Sequence, residues 1–306
     1  PKNVCKSTDV PEVVVKNNGK DVITSFTVNW RIDNGTLASK TWTGSLPRNA
    51  VATVQLNSSN YGAIGNHVFT AYTTVPNGAA DMVPANDTLR TNFAVKAVFP
   101  MPLLVNEEFT STTFPPSGWD LVNHDNDFTF ERNATVGKKN QGSAYFNDFD
   151  NPTNNRFDDL LFPNYTYTGL DSIFLKFALS HVIFSYPLQQ GISIDSLAVI
   201  VSKDCGNTFT TLYKKFGEEL QTVKDPNFPR DDPFFPSNAN QWRTDSVNLG
   251  TFLGANEELF QVGFRFWGNF ENNFFLDDIS LRGQILPAKL KSEGLLIQPS
   301  PFKSNF

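Results

Sequence analysis

Apolar and polar residues alternate with a period of two through the first 99 residues of this chain. Near its start the pattern runs through Pro11 to Val15, then Val22 to Ile32, where Ile23, Phe26, Val28 and Trp30 mark the apolar side. It continues through Lys40 to Trp42, Ala50 to Leu56, His67 to Thr74 and Thr88 to Val95. Such alternation predicts strands with one buried face. Turn signals separate them: Asn17-Asn18-Gly19, Asp33-Asn34-Gly35, Leu46-Pro47-Arg48-Asn49, Asn77-Gly78 and Pro84-Ala85-Asn86-Asp87. No segment holds helical spacing. Short strands so spaced predict an immunoglobulin-like β-sandwich over residues 1–99.

Val98 to Pro102 reads as a stiff, proline-bearing connector. Strand signals then resume, strongest over Ile173 to Leu179, Leu197 to Ser202, Phe209 to Lys214, Trp242 to Leu249 and Leu259 to Trp267. Phe216 to Thr222 is weaker and reads as a short helix or turn. Asp225 to Asn240, rich in Pro, Asn and Asp, reads as a long surface loop. Residues 100–284 are therefore predicted to be a jelly-roll β-sandwich, making the chain all-β. Residues 285–306 read as a linker and the truncated start of a further element. Four of the 29 phenylalanines precede residue 100, so the second domain is expected to have the aromatic core.

The chain has 306 residues, 40% hydrophobic and 18% charged, enough for two or three packed domains. Its formal charge of −6 argues against nucleic acid and against an anionic membrane surface. No apolar run approaches the ~20 residues of a membrane span. The abrupt start at Pro1 and end at Phe306 read as a piece of a longer protein. The two cysteines, Cys5 and Cys205, fall in different predicted domains. They are expected to be separate thiols, with a disulfide as the alternative.

Several motifs together resemble a known family. They are Glu107-Glu108-Phe109 with Phe114-Pro115-Pro116-Ser117-Gly118-Trp119, then Asp158-Asp159-Leu160-Leu161, the run Asp195 to Gly206, Gln241-Trp242-Arg243, and Asn272 to Leu281. In this order they resemble the cleaved-adhesin or choice-of-anchor jelly rolls, relatives of MAM domains, of secreted Bacteroidetes proteins. The first domain is similar to the CARDB and fibronectin-like modules that precede such jelly rolls. The tail, Leu296-Ile297-Gln298-Pro299-Ser300-Pro301-Phe302, resembles the start of a type IX secretion sorting domain, with Gln298 and Ser300 departing from the usual Tyr-Pro-Asn-Pro. This order of domains resembles the C-terminal half of secreted pappalysin-like zinc metallopeptidases. The resemblance implies a secreted or cell-surface location and an upstream catalytic domain in the same polypeptide.

The family resemblance also implies a structural calcium ion where the first and last strands of the jelly roll meet. Regular alternation puts Asp277 on the same face as Phe275, Ile279 and Leu281, and Glu107 on the face of Phe109. A carboxylate on an apolar face is costly unless paired or metal-bound. Glu107 and Asp277 are therefore the expected calcium ligands, completed by backbone carbonyls. Thr110 stands where the family has a second Glu, and the alternative is that these acids reach solvent at the edge. Weaker candidates are Asp278 and the loop Asn123-His124-Asp125-Asn126-Asp127, whose Asp125 and Asp127 could ligate calcium or form a polar turn.

Support for catalysis is thin. The three histidines, His67, His124 and His181, form no His-Glu-x-x-His, and no Gly-x-Ser-x-Gly elbow is present. Adjacent acids such as Asp158-Asp159, Asp231-Asp232 and Glu257-Glu258 are read as solvated, not as a glycosidase dyad. Tyr165, Tyr167, Tyr186, Trp267, Phe228, Phe234 and Phe235 are candidates for a glycan- or protein-binding face, against a plainer role in packing. Four triplets beginning at Asp87, Asp171, Asp195 and Asp245 resemble a Bacteroidetes O-glycosylation pattern, or else mark strand starts. The chain is thus expected to be a non-catalytic extracellular accessory region that engages a glycan or a protein. The alternatives are a rigid spacer and a degenerate glycosidase-like jelly roll.

Overall fold

A computed structural model describes residues 2–5, 10–57, 61–139, 141–152, 156–184, 194–225, 227–254 and 259–285. The linker and sorting-domain stub from 286 on, and also Tyr186, Glu257 and Glu258, lie outside the described residues. The chain divides into two compact units. One is Pro1–Val98 with Asp204–Asn207, and the other is Phe99–Lys203 with the residues from Thr208 on.

The first unit contains β1 (Asn3–Val4), β2 (Glu12–Lys16), β3 (Ile23–Ile32), β4 (Ala38–Leu46), β5 (Val51–Gln55), β6 (Gly65–Thr74) and β7 (Thr88–Val95). Their order is β1-β7-β6-β3-β4 in one sheet, with β2 and β5 paired in another. The period-two pattern does what alternation requires. Phe26, Val28 and Trp30 from β3 and Ala52 and Val54 from β5 turn inward onto one core with Val13, Phe69 and Phe93. Asn17 is buried in the turn it begins. Its Nδ2 donates to the carbonyls of Leu46 and Asp21, and its Oδ1 accepts from Gly19 N–H.

Strand β1 is too short to announce itself in the sequence, and it runs parallel to β7. Next to it stands a correction: Cys5 and Cys205 are not separate thiols but are joined in a disulfide. Asn207 supports the junction, accepting from the N–H groups of Lys2 and Asn3 and donating to the carbonyl of Asn3. Their separation of 200 residues leaves no local sequence signal for the pair.

From the division between the units on come β8 (Val98–Pro100), β9 (Leu104–Glu107), β10 (Asp120–Asn123), β11 (Phe130–Asn133), β12 (Ser143–Phe146), β13 (Arg156–Leu161) and β14 (Asn164–Thr166). They are followed by β15 (Ser172–His181), β16 (Ser196–Ser202), β17 (Thr210–Phe216), β18 (Arg243–Asn248), β19 (Gln261–Gly268) and β20 (Phe274–Gln284). A single 3-10 turn at Gly217–Glu219 occupies the weak segment after β17, and a short helix α1 covers Gly250–Leu253.

The second unit is a sandwich of two antiparallel sheets. One has the order β10-β13-β19-β16-β17, the other β11-β12-β20-β15-β18 with β9 also paired to β20. Leu160, Leu197, Val199, Phe264 and Phe266 of the first sheet meet Phe146, Leu175, Phe177, Phe274 and Leu281 of the second in an aromatic-rich core. Phe266 and Phe274 stack across it at 4.5 Å between ring centroids.

The loop over 227–240 lies on the outer side of the second sheet, where Phe234 packs with Tyr145, Ala178, Trp242 and Phe275. Asn272 holds the loop down. Its Oδ1 accepts from Phe234 N–H at 2.7 Å, and its Nδ2 donates to the carbonyls of Arg230 and Asp232.

The closing strand β20 contains a bulge. Lys176 is opposite Ser280 but Ala178 is opposite Asp277, so β20 has one residue more than β15 in this stretch. Asp278 takes up the extra residue with a φ of 51°. The side-chain phase slips by one. Phe274 and Leu276 before the bulge share the inner core with Ile279 and Leu281 after it. Phe275 points to the other side, as does Asp277, whose partner Ala178 packs with Phe275. The expectation that Asp277 shares a face with Ile279 and Leu281 is therefore wrong, because strict alternation fails at the bulge.

Candidate functional site

Strands β9 and β20 lie side by side, with Glu107 opposite Ile279. Directly paired residues point to the same side of a sheet. Glu107 is thus on the inner side with Ile279, and Asp277 is on the outer side. Glu107 folds back so that its Oε1 accepts from Phe109 N–H at 2.6 Å. The structure does not bring Glu107 and Asp277 to a common point.

Asp277 instead belongs to an acidic seam with Asp278 and Glu108. It is 2% exposed, and burial, with repulsion from Asp278 and Glu108, pushes its carboxyl up to about 6. Its Oδ2 accepts from Lys138 N–H and its Oδ1 from Asp278 N–H. The ammonium groups of Lys138 and Lys139 go to Asp278, at 3.3 and 2.7 Å. Among the described residues, no group of three or more His, Cys, Asp or Glu side chains is placed to hold a metal ion.

The loop at Asp125 and Asp127 closes on itself. Asn123 Oδ1 accepts from the N–H groups of Asp125 and Asn126, and Asp125 Oδ1 accepts from Asp127 N–H. These are Asx turns, with Asn126 in the left-handed region at φ 62°.

A buried polar cluster inside the second unit escaped sequence reasoning. Asp148, Asp195 and His181 are fully buried and Glu271 nearly so. Asn269 N–H donates to Asp195, Glu271 N–H donates to Asp148, and Phe184 N–H donates to Glu271. Burial raises all three carboxyls, Glu271 to about 7, and lowers His181 to about 4. The signal available was the triplet at Asp195, which marks a strand start here, as do those at Asp87 and Asp171.

The outer face of the first sheet carries the most binding chemistry. In register across its strands lie Phe157 of β13, Trp267 of β19, Ser196 of β16 and Phe216 of β17. The adjacent row is Val122, Asp159, Arg265, Ala198 and Lys214. Phe157 and Trp267 are neighbours at 5.7 Å, and Phe216 is half exposed. Arg265 grips Asp159 at 2.6 and 2.8 Å while its guanidinium sits 4.1 Å from the Phe157 ring centroid. His124 Nε2 reaches Asp159 at 3.1 Å. Lys214 Nζ stands 4.1 Å from the Trp267 ring centroid.

Of the aromatic candidates among the described residues, Trp267 alone belongs to this face. Tyr165, Tyr167 and Phe234 are buried in packing, and Tyr167 donates its hydroxyl to the carbonyl of Gly254. Phe235 is 46% exposed on the loop over the other sheet, and Phe228 packs edge-on against Phe234. Sequence reasoning missed Phe157, Phe216, Arg265 and Lys214, because only strand pairing brings them beside Trp267.

No protein-family model matches this chain, and no curated protein matches it. Among solved structures it is similar to the K1 cleaved adhesin domain of Lys-gingipain from Porphyromonas gingivalis W83, with 17% identity and a TM-score of 0.39. That match covers 58% of this chain and 97% of the domain. It is also similar to the CBM27-1 module of Caldicellulosiruptor saccharolyticus, solved with mannohexaose, with 14% identity, a TM-score of 0.37 and coverage of 58% and 96%. A third is the CBM22-1 xylan-binding domain of Paenibacillus barcinonensis Xyn10C, with 9% identity, a TM-score of 0.35 and coverage of 60% and 95%.

Proposed function

We propose that this chain is a non-catalytic extracellular binding region whose five-stranded sheet receives a glycan on its outer face. The observation that carries this reading is the aromatic row Phe157, Trp267 and Phe216 across adjacent strands. Strands in a sheet lie about 4.8 Å apart. Phe157 and Trp267 therefore stand one strand apart, and Phe216 two strands further on, giving apolar surfaces for sugar rings across the sheet. Arg265 and His124, whose side chains reach solvent beside this row, supply the polar groups that orient hydroxyls.

The disulfide supports the location, since such bonds persist in oxidising compartments. The parent metallopeptidase and the sorting tail rest on sequence resemblance alone. The test is a glycan array probed with the whole chain and with Trp267→Ala. Binding lost in the variant, at unchanged melting temperature, supports the reading. A wild type that holds no glycan, or a variant that binds as well as wild type, overturns it.

Calcium at the acidic seam is a separate proposal, carried by Asp277 without Glu107. Asp277 is a buried carboxylate whose ionised form is disfavoured where it sits, and the lysine ammoniums nearby are engaged with Asp278. A divalent cation would offset that cost, with backbone carbonyls completing its oxygen shell. A melting temperature unmoved by EDTA and by added calcium chloride would sink it.

A further inference from the structure

We propose that the glycan received on this face is acidic, with Lys214 as its anion anchor. This rests on the reading of the outer sheet face as a glycan site. Lys214 is exposed on β17, and its backbone partner on β16 is Ala198. From there its side chain crosses β16 to place Nζ over the ring of Trp267 on β19. Where it crosses, the strand carries Ser196 and Ala198 on this face, both small and both buried. The side chain of Lys214 thus lies across small residues that are themselves buried, and its ammonium ends at the indole ring.

Among the described residues Lys214 makes no ion pair. The carboxylate nearest in its row, Asp159, is taken by Arg265 and His124. Asp120, also directed to this face, is at the far edge strand opposite Leu161. The cation is therefore held by a ring alone, an interaction weak enough at an exposed site to be exchanged readily.

That placement discriminates between ligands. A neutral pyranose stacking on Trp267 must push the ammonium aside and offers it only hydroxyls in return. An acidic sugar brings an anion to the same Nζ and forms a charge-assisted hydrogen bond while its ring takes the indole face. The chain as a whole carries a formal charge of −6, so general attraction does not draw polyanions to it. Any preference for an acidic glycan must be local.

The experiment is calorimetric titration of the whole chain with two matched pairs. One is an oligogalacturonate and its methyl ester; the other is dextran sulfate and dextran. The first pair tests a carboxylate source, the second a sulfate source. The expected result is binding at least tenfold tighter for the charged member of at least one pair. Lys214→Gln should abolish that preference, Lys214→Arg should retain it, and melting temperatures should be unchanged.

Equal affinity within both pairs overturns the inference, as does a preference that survives in Lys214→Gln. If neither charged ligand binds, the inference falls. A neutral glycan still lost on Trp267→Ala would then leave the wider reading standing, and no glycan binding at all would remove both.

Discussion

Asp277 gives the sharpest test of the reading of the acidic seam. Its carboxyl rises from an ordinary 3.8 to about 6, chiefly through burial. A folded pKa above the unfolded one stabilises the folded chain fully below pH 4. That stability is lost as pH rises through about 6. A rise of roughly two pH units at 1.36 kcal/mol each makes the loss about 3 kcal/mol.

Asp277→Asn removes the titration. It also loses an acceptor for Lys138 N–H, a constant offset at every pH. The quantity to compare is therefore the change between pH 4 and pH 7.5, measured by urea unfolding in EDTA. Wild type should lose roughly 2 kcal/mol more than Asp277→Asn over that interval, because at pH 4 part of the full difference is already gone. The buried groups His181 and Glu271 titrate alike in both proteins and cancel. Calcium chloride at pH 7.5 should then restore stability to wild type and not to the variant, by about 2.7 kcal/mol at a hundredfold excess over Kd. Parallel pH curves in EDTA would refute the argument from burial, whatever calcium does.

Other positions test packing. Replacing both cysteines with serine should lower the melting temperature in calorimetry, by up to about 5 kcal/mol of stability in the chain-entropy account of so long a loop. Gly263→Ala places a Cβ 2.7 Å from the carbonyl oxygen of Leu160 and 3.0 Å from Leu161 Cα. Backbone cannot yield as a flexible side chain can, so urea unfolding should show a loss of about 1–3 kcal/mol. Asn272→Ala strips partners from Phe234 N–H and from two carbonyls, and should cost about 3 kcal/mol while speeding proteolysis within 225–240.

The strands of the first unit were legible because one buried face imposes a period of two, while a central strand of the second such as β16 is buried on both faces and reads as a continuous apolar run. Val22 to Ile32 was expected as a strand and β3 is Ile23–Ile32; Thr88 to Val95 coincides with β7. What periodicity cannot carry is a change of phase. Asp278 takes a left-handed conformation with no glycine or asparagine to announce it. Counting in twos across it assigned Asp277 to the wrong side. The binding face was half legible for a different reason: a tryptophan draws notice in any sequence, but Phe157, Arg265 and Lys214 become its neighbours only through register.

The bulge also explains why two adjacent acids can end the jelly roll at all. Without the extra residue, alternation back from Ile279 would turn Asp277 into the core of Phe177 and Phe266, and would turn Phe274 and Leu276 outward. One inserted position lets apolar residues on both sides of Asp278 face the same interior. It sends the carboxylate of Asp277 out to the seam, where Lys138 N–H meets it.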